Sequence, residues 1–126
     1  MSKIIRHPAA APAPYSKAVH AGDFLFLSGQ IAFGPDGIVV NGGIELQTKV
    51  VLDHIKKNLE DLGCSLADVV KMTIWLADTR DFRGYNDVFA KYFANHPPAR
   101  STVRSDLMRD AKIEIEAVAY KPAAKG

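Results

Sequence analysis

What this sequence has little of narrows its chemistry first. Among 126 residues there is one cysteine, Cys64, so no intrachain disulfide can form and a cysteine metal site has no second thiolate. The four histidines, His7, His20, His54 and His96, stand far apart with no HxH or HxxxH spacing, and no structural metal is expected. Excess charge of one sign is also missing. A net charge of +2, with basic residues scattered rather than striped, makes nucleic acid an unlikely partner. No apolar run approaches the ~20 residues that span a bilayer. The stretch Met1 to Pro8 has no apolar core behind its basic residues, so it does not read as a secretory leader. These absences lead to the expectation of a cytoplasmic protein that needs no metal, disulfide or membrane.

What is present reads as one domain, residues 1–126, with 48% hydrophobic and 24% charged residues, enough to bury a core. A short strand is expected over Lys3 to Arg6, then an extended approach through Pro8, Pro12 and Pro14. Tyr15 to Val19 and Phe24 to Ile31 form a hairpin about the Gly22-Asp23 turn. The second of these strands is apolar on both faces until Ser28 and Gln30, which predicts burial on both sides. Gly34 to Gly37 signal a turn and Ile38 to Val40 a short strand. From Ile44 to Leu62 the period becomes helical, with Val51, Ile55, Leu59 and Leu62 on one stripe and Gly63 in the C-cap position.

Val69 to Ala77 predicts a strand with Val70, Met72, Ile74 and Leu76 on one face and Val69, Lys71, Thr73 and Trp75 on the other. Asp78 and Asp81 offer N-cap groups for a second helix from Phe82 to Asn95, whose stripe Phe82, Tyr85, Phe89, Tyr92 and Phe93 reads as core. Asn86, beside that stripe, either fastens a loop or faces a ligand. Pro97 and Pro98 stop the helix, and Arg100 opens a strand. In the last strand, Lys112 to Tyr120, Ile113, Ile115, Ala117 and Ala119 share one face, and Glu114, Glu116 and Val118 the other. The result is an α+β domain: one mixed β-sheet with both helices on one face. No third helix is left to cover Phe24, Phe26, Thr73, Trp75, Val118 and Tyr120, so a second subunit is expected over them.

If the last two strands pair directly, Arg100 and Thr102 share a face with Glu114, leaving Ser101 and Val103 on the isoleucine side. A guanidinium fork matches a carboxylate, and a glutamate can orient or deprotonate a water. The pair then suits a small carboxylated substrate attacked by water. A cross-strand ion pair on a solvated face is the alternative.

Several short stretches occur together in order: Tyr15-Ser16-Lys17-Ala18-Val19, Ser28-Gly29-Gln30-Ile31, Asp68-Val69-Val70-Lys71, Asp81-Phe82 with Tyr85-Asn86, Pro98-Ala99-Arg100-Ser101, and Ile113-Glu114-Ile115-Glu116-Ala117. Jointly they resemble the Rid (YjgF) family of enamine and imine deaminases over nearly the whole chain. The resemblance implies a chorismate-mutase-like fold, a homotrimer with a central β-barrel, active sites between subunits and no cofactor. It implies hydrolysis of 2-imino acids, such as 2-iminopropanoate derived from 2-aminoacrylate, to 2-keto acids and ammonia. In that comparison Arg100 binds the carboxylate, Glu114 positions and activates water, and Tyr15, Ser28, Gly29, Asn86 and Thr102 line or brace the pocket. The chain departs from the family at Thr102, where cysteine is common, at Ala13, where glycine is, and at Met108, where proline is. Its turn from Ser105 to Ala111 is one residue shorter. Ribonuclease activity, reported for some members, and a non-catalytic ligand sensor or holdase using the same clefts are the rival readings.

Overall fold

A computed structural model describes residues 3–10 and 12–123. The first two residues of the N-terminal stretch read above, Ala11 and residues 124–126 lie outside that description.

The strands are β1 (Ile4–Pro8), β2 (Ser16–Ala21), β3 (Phe24–Gln30), β4 (Val69–Leu76), β5 (Ala99–Arg104) and β6 (Ile113–Tyr120); the helices are α1 (Ile44–Asp61) and α2 (Phe82–Phe93). They form a six-stranded mixed sheet in the order β1-β2-β3-β6-β4-β5, in which β4 and β5 run parallel and the other neighbours antiparallel. Gly22 supplies the left-handed backbone, φ 60°, that the tight β2–β3 turn needs. Gly63, φ 79°, ends α1 as its position suggested. Asp78 accepts a hydrogen bond from Arg80 N and caps a single 3₁₀ turn ahead of α2, whereas Asp81 makes no side-chain cap. The Arg80 side chain also bonds the Asp78 carboxylate, which is held at a pKa of about 2.

The core lies between the sheet and α1. Val51, Leu52, Ile55 and Leu59 from the helix meet Leu25, Met72, Ile74, Ile113 and Ile115 from the strands, all fully buried. The alternation of β6 is as expected, with the isoleucines and alanines inside. Gln47, 3% exposed, is the polar clamp of this layer. Its Nε2 donates to Val40 O at 3.1 Å and its Oε1 accepts from Lys112 N at 2.9 Å, so one amide holds the loop after β3 and the entry to β6. The same layer carries His54 Nε2 at 2.7 Å from Phe33 O, and the Tyr92 hydroxyl donates to Asp53 at 2.6 Å.

Four expectations are corrected. Residues 38–40 contribute an isolated bridge, Phe33 to Val39, rather than a strand. In β4 a register shift between Val69 and Lys71 buries Val69 and leaves Val70 43% exposed, reversing their assignments. β3 is buried on one face only: Leu25 and Leu27 are inside, whereas Phe24 and Phe26 are exposed. Finally, β5 and β6 do not pair, because β4 lies between them.

The face opposite the helices carries Phe24 across from Tyr120, Phe26 across from Val118, and Trp75 between Glu114 and Val103. Phe24, Phe26, Val103 and Tyr120 are each exposed by 41–47% in one protomer. No described helix is long and apolar enough to cross a membrane.

Replacing Gln47 by leucine is expected to strand the Val40 carbonyl and the Lys112 N–H. The loss is about 1–3 kcal/mol, read as a lower urea midpoint. An unchanged midpoint would show that the clamp contributes nothing.

Candidate active site

Arg100 stands on β5, an edge of the sheet, opposite Met72 of β4. Directly opposed side chains share a face, and Met72 is fully buried beneath the helices, so Arg100 turns toward α2. Its Nη2 donates to Asn86 Oδ1 at 2.6 Å. The guanidinium carbon sits 4.8 Å from the Phe89 ring centre, 5.1 Å from Tyr85 and 6.0 Å from Phe82. Each such contact contributes roughly 0.5–2 kcal/mol, increasing as water is excluded. Asn86 thus fastens a side chain: its acceptor orients the Arg100 guanidinium. Thr102 shares the face, with Oγ1 2.9 Å from the Tyr85 hydroxyl, and burial pushes the Tyr85 phenol up.

Glu114 stands on β6 opposite Trp75, on the uncovered face. Between Leu27–Ala117 and Gln30–Ile115 two residues of β3, Ser28 and Gly29, oppose one of β6, which makes a bulge. A Cβ at Gly29 would collide with the Glu114 carboxylate, so glycine leaves the room in which that group lies. The Ser28 hydroxyl donates to Ser16 O at 2.6 Å, fastening the chain one residue beyond Tyr15, whose own ring is 61% exposed. Burial raises the Glu114 carboxyl above its ordinary value, and the neighbouring Glu116 charge adds to the rise.

The expected residues therefore form two groups instead of one. Arg100, Asn86 and Thr102 gather on the helix side, and Glu114 lies with Gly29 on the other. Arg100 and Thr102 occupy the isoleucine face and Ser101 and Val103 the Glu114 face, the reverse of what direct β5–β6 pairing would give. With β4 interposed, Arg100 and Glu114 are two strand spacings apart, about 10 Å across the sheet, are offset by the three positions from Met72 to Trp75 along it, and project to opposite sides. Within one chain they do not meet. A hollow of about 650 Å³ opens elsewhere, among Phe33, Val39, Asn41, Arg109 and Lys112, and contains neither. Phe82, Tyr85 and Phe89 do more than fill the core. Tyr85 and Phe89 are indeed buried, but with Phe82, 46% exposed, they also cradle Arg100. The signal available in sequence was the β4–α2–β5 crossover, which lays α2 over its own next strand. Among the described residues no three His, Cys, Asp or Glu side chains are grouped to hold a metal.

The family model described as Endoribonuclease L-PSP matches residues 5–121. The chain belongs to this family, the Rid (YjgF) family. It is 51% identical over 110 residues to a RutC family protein of Pyrococcus horikoshii, covering 86% of this chain and 87% of that one. It is 44% identical over 112 residues to the chloroplastic Reactive Intermediate Deaminase A of Arabidopsis thaliana, covering 87% of this chain and 60% of that protein. A crystal structure of a Rid family protein from Yersinia pestis superposes with a TM-score of 0.84 at 38% identity, covering 91% of this chain and 93% of that one. The mixed sheet with two helices is this family's fold.

The raised Glu114 value fixes a sign. Folding favours the protonated carboxyl, and that contribution is complete below the ordinary glutamate range and lost as pH rises through the raised value. At neutral pH the ionised group therefore works against folding. Glu114→Gln is expected to melt at a higher temperature than the parent at pH 7, with the gap closing by pH 4 in calorimetry. A lower melting temperature at pH 7 would contradict the assigned environment.

Proposed function

We propose that this Rid family chain is a cofactor-independent deaminase that hydrolyses 2-imino acids to 2-keto acids and ammonia, in clefts between copies of a homotrimer. The observation that carries the reading is the division of the site into complementary halves: a cation held ready at the sheet edge, and a carboxylate on the uncovered apolar face. Each half lacks what the other has. A neighbour laid with its Glu114 face against the Arg100 edge completes the set and covers Phe24, Phe26 and Tyr120. Such a contact joins two different surfaces, and repeated around an axis it closes into a ring.

In the completed cleft Arg100 takes the substrate carboxylate. Asn86 occupies one of its five N–H donors and leaves the fork for the ligand. The anchored carboxylate sets the position of the adjacent C=N carbon. Glu114 of the facing copy orients a water toward that carbon and takes its proton as the C–O bond forms. It returns that proton to nitrogen, then carries the hydroxyl proton of the resulting carbinolamine to the same nitrogen as the carbonyl forms and the C–N bond breaks, so that ammonia leaves a 2-keto acid. Burial within the protomer, which raises the Glu114 carboxyl, makes its carboxylate a stronger proton acceptor than a free glutamate. Tyr15, Ser28 and Gly29 shape the wall beside it.

Cleavage of RNA is favoured as a second reading by the description of the family model and by similar solved structures whose descriptions name an endoribonuclease, one of them from Thermotoga maritima. A net charge of +2 without a basic stripe weighs against it.

Arg100→Ala is expected to retain the oligomeric state and to lose 2-keto acid release by about 100-fold or more, measured with imino acids generated by an amino-acid oxidase. Full activity in that variant would remove Arg100 from the mechanism. Salt-sensitive RNA cleavage that depends on Arg100 would instead favour the second reading.

A further inference from the structure

We infer that Tyr85 is a positioning residue that turns the Thr102 hydroxyl into a second hydrogen-bond donor for the substrate carboxylate, beside Arg100. The inference rests on the reading of this site as a carboxylate-binding one.

The argument is a count of protons. The Tyr85 side chain is fully buried, and among the described residues its hydroxyl bonds one partner, Thr102 Oγ1, at 2.9 Å. Each hydroxyl has a single proton, so one of the two must accept. If Thr102 donated, the phenolic proton would have no acceptor among the described residues, the neighbours of its ring being Phe82, Phe89 and the Arg100 guanidinium. A guanidinium has donors only, and aromatic faces are poor acceptors. A buried donor left unmatched is disfavoured over one that is paired. Tyr85 therefore donates and Thr102 accepts, which frees the Thr102 proton.

Thr102 is half-buried, so its proton can point away from α2 toward solvent. It follows Arg100 by two positions along β5 and shares its face. The long arginine fork and the short hydroxyl thus present parallel donors along one edge. A carboxylate can place one oxygen on each. With Phe in place of Tyr85 the ring stack under Arg100 would remain, but the Thr102 rotor would lose the bond that aims it.

The test uses the full chain and two readouts: pyruvate, the simplest 2-keto acid, titrated by calorimetry, and imino-acid hydrolysis. Tyr85→Phe is expected to weaken pyruvate binding by about 3- to 10-fold and to raise KM similarly, with a smaller change in kcat. Thr102→Val should lose at least as much and Thr102→Ser should retain binding. The Tyr85→Phe/Thr102→Val double variant should be no worse than Thr102→Val alone, because both remove one interaction. Binding by Tyr85→Phe equal to the parent, losses that multiply in the double variant, or an effect confined to melting temperature would each overturn the inference. The functional reading fails separately if the parent chain binds pyruvate but releases no 2-keto acid from imino acids; the titrations then still decide the donor pair. A parent chain that neither binds pyruvate nor releases 2-keto acid overturns both.

Discussion

The insertion of β4 between β5 and β6 decides how this protein can work. A strand's side chains alternate, so once its neighbours are set, every residue on it is assigned to a face. Parallel pairing puts Arg100 opposite buried Met72, and antiparallel pairing puts Glu114 opposite Trp75. The two charged groups are thereby separated by the sheet itself. In the proposed reading, chemistry that needs both draws on a second copy, and the exposed aromatic face around Phe24, Phe26 and Tyr120 is the surface that copy would cover.

Each of the two groups is arranged within a single chain. On one side α2 supplies three rings and an amide to Arg100, an arrangement that holds a flexible side chain in one place. On the other, a bulge and a glycine make room for a carboxylate whose burial disfavours its charge. Both features reduce the ordering that binding would otherwise require. On the Glu114 side a charge lies where folding alone would favour a neutral group.

Much of this was legible from the residues. The alternation in β6, the helical period of α1 and the glycine after it specify their elements through local rules, and the structure agrees with them. Register was less legible, because it is set by neighbours distant in sequence. β5 reads Ala-Arg-Ser-Thr-Val-Arg, with polar groups on both faces, so nothing in it declares which side turns inward. The parallel partnership with β4 follows from the crossover through α2, not from any pattern within β5. The inward turn of Arg100 was hidden for a related reason: an aromatic stripe on a helix reads as core whether or not a cation lies along it. The burial expected on both sides of β3 is not reached within one protomer, because its two phenylalanines lie on the face that the protomer leaves open.

The central claim is that guanidinium and carboxylate come from different copies, and subunit mixing tests it most directly. Inactive Arg100→Ala and Glu114→Gln chains, unfolded together at equal amounts and refolded, should recover imino-acid hydrolysis to about a quarter of the parent's on random assembly around a ring. Mixed assemblies then contain interfaces where an intact Arg100 meets an intact Glu114. A mixture confirmed by mass to contain both chains, yet as inactive as its parts, would contradict the account.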